Sequence, residues 1–140
     1  MRVFIDTNIF LDFIQERPAG FKEAMKIFAL SAKGNIDLLI SDLSIANVKY
    51  STRKDIPLDT FYETLKGIRE LFLIVAVGEL VVDRALAIEA SDFEDALQYY
   101  SAVQAGADCL ITRNIKDFVF DNSVETLEPK VFLEKYFPDE

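Results

Sequence analysis

The chain has 140 residues, 51% of them hydrophobic and 28% charged, which suits one compact domain with a sizeable core and not a disordered segment. Fifteen Lys and Arg against 24 Asp and Glu give a net charge of −9, which argues against a module held to nucleic acid by a broad basic surface, though not against a local basic groove. Histidine is absent and Cys109 is the only cysteine, which excludes His-based triads, His-ligated zinc, an internal disulfide and a multi-thiolate zinc site, and fits a reducing, cytoplasmic compartment.

Residues 3–5 form an apolar run with the length of a buried strand, and charges at Arg2 and Asp6 exclude a secretory leader there. Phe21, Ala24, Met25, Phe28, Ala29 and Ala32 recur at helical spacing, and Lys33-Gly34 closes that helix with a cation and a C-cap glycine. Residues 37–40 read as a second strand. Ser41 and Asp42 can cap a helix running to about Arg53, and Phe61, Leu65, Ile68 and Phe72 mark another. Residues 73–77 are β-branched and apolar, a third strand. Helices are expected over 79–90 and 93–105, the second carrying Phe93, Ala96, Leu97, Tyr100 and Val103 on one face. Residues 109–112 form a fourth strand, 125–127 a fifth, and Pro129 starts a terminal helix as an N1 proline can. Nothing approaches the roughly 18 uninterrupted apolar residues of a membrane span. Strands without polar alternation, alternating with helices, indicate an α/β fold in three layers around a mostly parallel sheet of four to five strands, one domain over residues 1–140.

That topology predicts a meeting point. In an open parallel sheet, ligands bind beyond the carboxyl ends of the strands. Asp6 follows the first strand, and Thr112, Arg113 and Asn114 close the fourth. A helix leading into a parallel strand begins at that same edge, which brings Glu94 and Asp95 there, and Asn47 falls early in the helix after the second strand. Asp6, Asn47, Asp95 and Asn114 therefore converge, with Asp117 close behind.

Each residue also has a purely structural role open to it. Asp6, Thr7 and Asn8 suit the cap of a helix starting near Ile9, and Ser91-Asp92-Phe93-Glu94 matches a capping box in which Asp95 is a first-turn acid. Asn47 suits a helix surface, Asn114 a turn, Asp117 a surface acid and Thr112 a last strand residue. Convergence is what separates the two readings. Clustered carboxylates raise one another's pKa, and with no His and only Arg113 nearby, a hard divalent cation such as Mg²⁺ or Mn²⁺ resolves the conflict. Such an ion polarises a phosphoryl oxygen and acidifies water, which points to phosphodiester hydrolysis.

The segments F-I-D-T-N, D-F-E-D-A-L-Q-Y-Y-S-A and G-A-D-C-L-I-T-R-N-I-K-D-F, in that order, resemble those of PIN domains, most closely the small toxins of prokaryotic toxin–antitoxin systems (VapC-type). The resemblance runs from Arg2 to about Leu133. It implies a three-layer α/β/α sandwich, a Mg²⁺- or Mn²⁺-dependent endoribonuclease, a homodimer and a cognate antitoxin bound near the active site. By motif it makes Asp6 the first acid, Asp95 the third and Asn114 the fourth position, with Thr112 as the hydroxyl that orients a carboxylate or a water. Asp6, Asp95 and Asp117 are then the metal-binding acids. The second position departs from the pattern: Asn47 stands where the family usually has Glu, so one negative charge is missing. Glu94 could supply part of it, although neighbours in a helix point about 100° apart.

Two functions follow. The first is an RNA-cleaving toxin in which Asn47, Thr112, Asn114 and Asp117 position waters and the scissile phosphate, with Arg53, Lys54 and Arg113 on the RNA backbone. The alternative is a catalytically weakened PIN domain that binds RNA or an antitoxin. A phosphoacceptor domain of the response-regulator kind would need an acidic pair after the first strand and a lysine after the fifth; here the first strand ends in a single Asp and no Lys is obviously placed.

Overall fold

The computed structural model describes residues 1–139. Among them the elements run β1 (Arg2–Ile5), α1 (Thr7–Ile14), α2 (Phe21–Ala32), β2 (Asp37–Ser41), α3 (Asp42–Ser51), α4 (Leu58–Ile68), β3 (Leu73–Val75), α5 (Gly78–Ile88), α6 (Phe93–Gln104), β4 (Cys109–Ile111), β5 (Glu125–Leu127) and α7 (Pro129–Tyr136). The five strands form one sheet in the order β3-β2-β1-β4-β5, with every neighbouring pair parallel.

Side chains alternate across the pleat, and this alternation builds two cores. Val3 and Ile5 of β1, Leu38 and Ile40 of β2, and Cys109 and Ile111 of β4 point to one face, where they pack with Phe10, Phe28, Phe61 and Phe132 of α1, α2, α4 and α7. Phe4, Leu39 and Leu110 point to the other, against Val81 of α5 and Tyr99, Tyr100 and Ala102 of α6. Helices on both faces of a parallel sheet explain why the strands read as unbroken apolar runs. The three-layer α/β/α sandwich expected from the sequence is what forms.

The departures are local. β3 ends at Val75, two residues short of the expected strand, because Gly78 at φ +75° turns the chain into α5. Phe72 lies past the end of α4 in extended backbone, yet it is buried and packs edge-on against Phe10, so its period matched a core position rather than a helix. Phe93 is 43% exposed and not part of the buried face of α6. The first turn of that helix stands clear of the core, and Tyr99 carries the packing expected of Phe93.

Chain order fixes where a site can be. β1 is central; β2 is added on one side of it and β4 on the other, so the strand order reverses between β1 and β4. A crevice opens at such a reversal, beyond the carboxyl ends of the strands. No helix among the described residues is long and apolar enough to cross a membrane.

Candidate active site

Register decides which side chains meet at the reversal. Ile5 pairs with Ile111, so the next residue of each strand, Asp6 and Thr112, leave the sheet side by side. Both are buried. The Thr112 hydroxyl donates to Asp6 Oδ2 at 2.5 Å, while Asp6 Oδ1 accepts the backbone N–H groups of Asn8 (2.9 Å) and Ile9 (3.3 Å). Asp6 is therefore the N-cap of α1 as well as a candidate site acid; the capping role and the site role belong to one side chain. Burial pushes its carboxyl above the ordinary aspartate range, against the pull of these donors.

Two helices complete the wall. Asp92 caps α6 by accepting the Asp95 N–H at 3.0 Å, which sets Glu94 and Asp95 in its first turn. At 100° per residue, Gln98 falls between Glu94 and Asp95 on the helical wheel, so the three share one face. On α3, Ser44 and Asn47 are one turn apart and share a face in the same way. A buried polar network locks these faces together. Gln98 Nε2 donates to Ser44 Oγ (2.8 Å) and Thr7 Oγ1 (3.0 Å), and its Oε1 accepts from Ser41 Oγ (2.9 Å). Thr7 and Ser44 share a further hydrogen bond of 2.8 Å. The result is a cleft of about 260 Å³ whose walls include Asp6, Asn47, Glu94, Asp95 and Gln98.

The cleft is acidic without compensation. No cationic side chain lines it among the described residues. Burial first, then the charges of Asp92, Asp6 and Asp117, push the Asp95 carboxyl up from its ordinary 3.8 to about 7. Burial and Asp92 push Glu94 up as well. No group of three or more acidic or thiol side chains among the described residues stands close enough to hold a metal ion by itself. The donor set nevertheless suits Mg²⁺ or Mn²⁺, which take oxygen ligands, keep several waters and need only one or two carboxylates.

The sequence expectations fare unevenly. Asp6, Asn47 and Asp95 face the cleft, and Thr112 reaches it through Asp6. Asn114 is exposed and outside the cleft wall; its N–H donates to Thr112 Oγ1 at 3.0 Å, so it belongs to the turn that holds the hydroxyl. Asp117 lines a neighbouring hollow with Asp92 and Lys116, from which its charge still acts on Asp95. Arg113, expected on an RNA backbone, is held by Asp12, with Nη2 donating to Oδ1 at 2.9 Å and Nε 2.8 Å from Oδ2. Arg53 stacks over Tyr50, a wall residue, with its guanidinium 3.8 Å from the ring centroid, and so sits at the rim. Sequence reasoning missed Gln98 and its hydroxyl partners. The available signal was a Gln three residues after Asp95, set among Ala96, Tyr99 and Tyr100 of the same helix.

A profile of the PIN domain family matches residues 2–116. The chain is 28% identical over 140 residues to Ribonuclease VapC1 of Aquifex aeolicus (strain VF5), spanning 96% of this chain and 95% of that protein. In fold it is similar to a chain of VapBC-1 from nontypeable Haemophilus influenzae, with a TM-score of 0.69, 19% identity, and coverage of 93% of this chain and 99% of that one. It is also similar to a chain of a toxin–antitoxin complex from Klebsiella pneumoniae, with a TM-score of 0.67, 25% identity, and coverage of 91% and 97%.

Proposed function

The chain belongs to the PIN domain family, and from that premise we propose that it is an endoribonuclease that hydrolyses RNA phosphodiester bonds with Mg²⁺ or Mn²⁺, acting as the toxin of a toxin–antitoxin pair. The observation that carries this reading is the meeting of Asp6 and Asp95, 89 residues apart, at one cleft lined by no cationic side chain among the described residues. A divalent ion bound there supplies the positive charge and Lewis acidity that a phosphodiester needs to enter and react at an acidic surface.

The chain's own residues have distinct parts. Asp6 and Asp95 would hold the ion, with Asp117 adding to the negative field from the adjoining hollow. The Thr112 hydroxyl fixes the Asp6 carboxylate in one orientation by occupying Oδ2, and the Asn114 N–H fixes Thr112 in turn. Gln98, through Thr7 and Ser44, holds α1, α3 and α6 in the rotation that presents their polar faces to one space. Arg53 at the rim is placed to meet an RNA phosphate. An antitoxin partner belongs to the same reading, supported by the similar Klebsiella pneumoniae chain that comes from a toxin–antitoxin complex, and so does a homodimeric assembly.

The test is calorimetric titration of metal-stripped protein with Mn²⁺, alongside cleavage of a labelled RNA, for wild type, Asp6→Ala and Asp95→Ala. Saturable Mn²⁺ binding and cleavage by wild type, both lost in the two variants, is the expected result. Equal cleavage by wild type and Asp6→Asn, with contaminating nuclease excluded, overturns it.

A further inference from the structure

The amide at position 47 does not leave the site one acid short. We propose that Glu94 supplies the third negative charge of the cation site, and that Asn47 is the positioning residue that turns it into the cleft. The inference rests on the reading of this cleft as a cation site and assigns a role within it to Glu94.

Three observations carry it. Asn47 Nδ2 donates to Glu94 Oε1 at 2.5 Å across the gap between α3 and α6, joining residues 47 positions apart, and both line the cleft with Asp6 and Asp95. The 100° between successive helical residues does not exclude Glu94, because the cleft faces the middle of the arc, at Gln98, and takes Glu94 on one side and Asp95 on the other. Gln98 is 2% exposed and tied to Ser41, Ser44 and Thr7, so α6 cannot roll to favour one acid over the other.

The chemistry of the pair matters as much as its place. A Lys or Arg at position 47 would orient Glu94 and cancel its charge. An amide orients it and leaves the charge intact. The site then has the negative charges of Asp6, Asp95 and Glu94, with the third delivered from α6 instead of α3. Cation affinity in oxygen-ligand sites follows the number of such charges, and partners that only orient a ligand contribute through its placement.

Calorimetric Mn²⁺ titration of metal-free protein, paired with thermal unfolding in EDTA, tests this on wild type, Glu94→Gln, Asn47→Ala, the exchanged pair Asn47→Glu/Glu94→Gln, and Asp95→Ala. Glu94→Gln keeps a hydrogen-bonding partner for Asn47 and the metal-free melting temperature, yet should weaken Mn²⁺ binding about tenfold or more. Asn47→Ala should weaken it by a smaller factor. The exchanged pair returns the acid to the opposite side of the same gap and should recover most of the affinity. Wild-type affinity in Glu94→Gln, with binding lost in Asp95→Ala, would reduce Glu94 to a surface partner of Asn47 while leaving the cation site standing. Failure of the exchanged pair to recover binding would likewise overturn the assignment. Absence of Mn²⁺ binding in wild type would remove the cation site itself, and this inference with it.

Discussion

Two buried aspartates bracket helix α1, and the chain treats them in opposite ways. Asp12, in the last turn, is fully buried and paired with the Arg113 guanidinium, which donates to Oδ1 and stands 2.8 Å from Oδ2, with Arg17 3.9 Å away, although burial still holds its carboxyl above the ordinary range. Asp6, at the other end, is 4% exposed and meets only neutral donors: one hydroxyl and two backbone N–H groups. Arg113 reaches it only as the weakest of the pulls on its carboxyl. Residue type, helix and burial are shared. What differs is whether the chain supplies the countercharge. Burying an ion is tolerable when it is paired, so the pair at Asp12 reads as architecture, while the unpaired Asp6 is the acid that the proposed function assigns to an external cation. The architectural pair also serves the site, because Arg113 lies between Thr112 and Asn114 and ties their turn to α1.

The sharpest way to break this contrast is to remove each carboxylate in turn. Asp12→Ala removes the buried carboxylate and its pairing with Arg113, whose own side chain is 36% exposed and stays hydrated, and should cost about 2–3 kcal/mol of stability, read as a large fall in the urea midpoint. Asp6→Asn keeps a side chain that caps helices well and should cost less than about 1 kcal/mol, while abolishing Mn²⁺ binding in calorimetry. Comparable unfolding in both variants would erase the distinction between them.

A smaller effect is expected from the glycine that closes over the paired aspartate. A Cβ at Gly20 would lie 2.1 Å from Asp12 Oδ2, inside the carboxylate, so only glycine fits there while Asp12 keeps its place. Gly20→Ala should destabilise by about 1–3 kcal/mol in the same denaturation assay and leave Mn²⁺ affinity near that of wild type. A matching loss of affinity would mean that the two ends of α1 are not separable.

The contrast between the two aspartates also marks what the sequence could and could not reveal. Strand and helix order were legible because Val3–Ile5 and Cys109–Ile111 are apolar on both faces while Phe21–Ala32 repeats with helical period. Topology alone then placed Asp6, Asn47 and Asp95 at one edge, since a position just past a strand or just inside a helix is an end in any parallel sheet. Direction was not legible. Asn114 and Asp117 follow β4 at three and six residues past Ile111, yet turn away from the cleft wall, because the turn after Thr112 and a short 3₁₀ helix decide where they point. Partners distant in sequence were hidden as well: Arg113 reads as a free cation until Asp12, 101 residues away, is seen to hold it. Gln98 reads as a surface residue because its three hydroxyl partners sit on other elements.

The finest test of uncompensated charge is Asp95, where the effect changes sign with conditions. Its carboxyl stands at about 7 in the folded protein against an ordinary 3.8, raised by burial and then by Asp92, Asp6 and Asp117. Between those values the folded chain holds a proton that the unfolded chain has released. Metal-free stability therefore falls as pH rises from about 4 to 7 and stays low above it. Asparagine does not titrate, so Asp95→Asn should gain on wild type as pH rises, by roughly 1 kcal/mol between pH 5 and 8 once partial solvation is allowed for. That is about 3–5 °C in melting temperature for a domain of this size. Excess Mn²⁺ should reverse the order, because only wild type gains the stability that binding confers. Melting curves in EDTA and in Mn²⁺ at pH 8 must then cross between the two proteins. A variant less stable than wild type in EDTA would show that the charge of Asp95 is already satisfied within the fold.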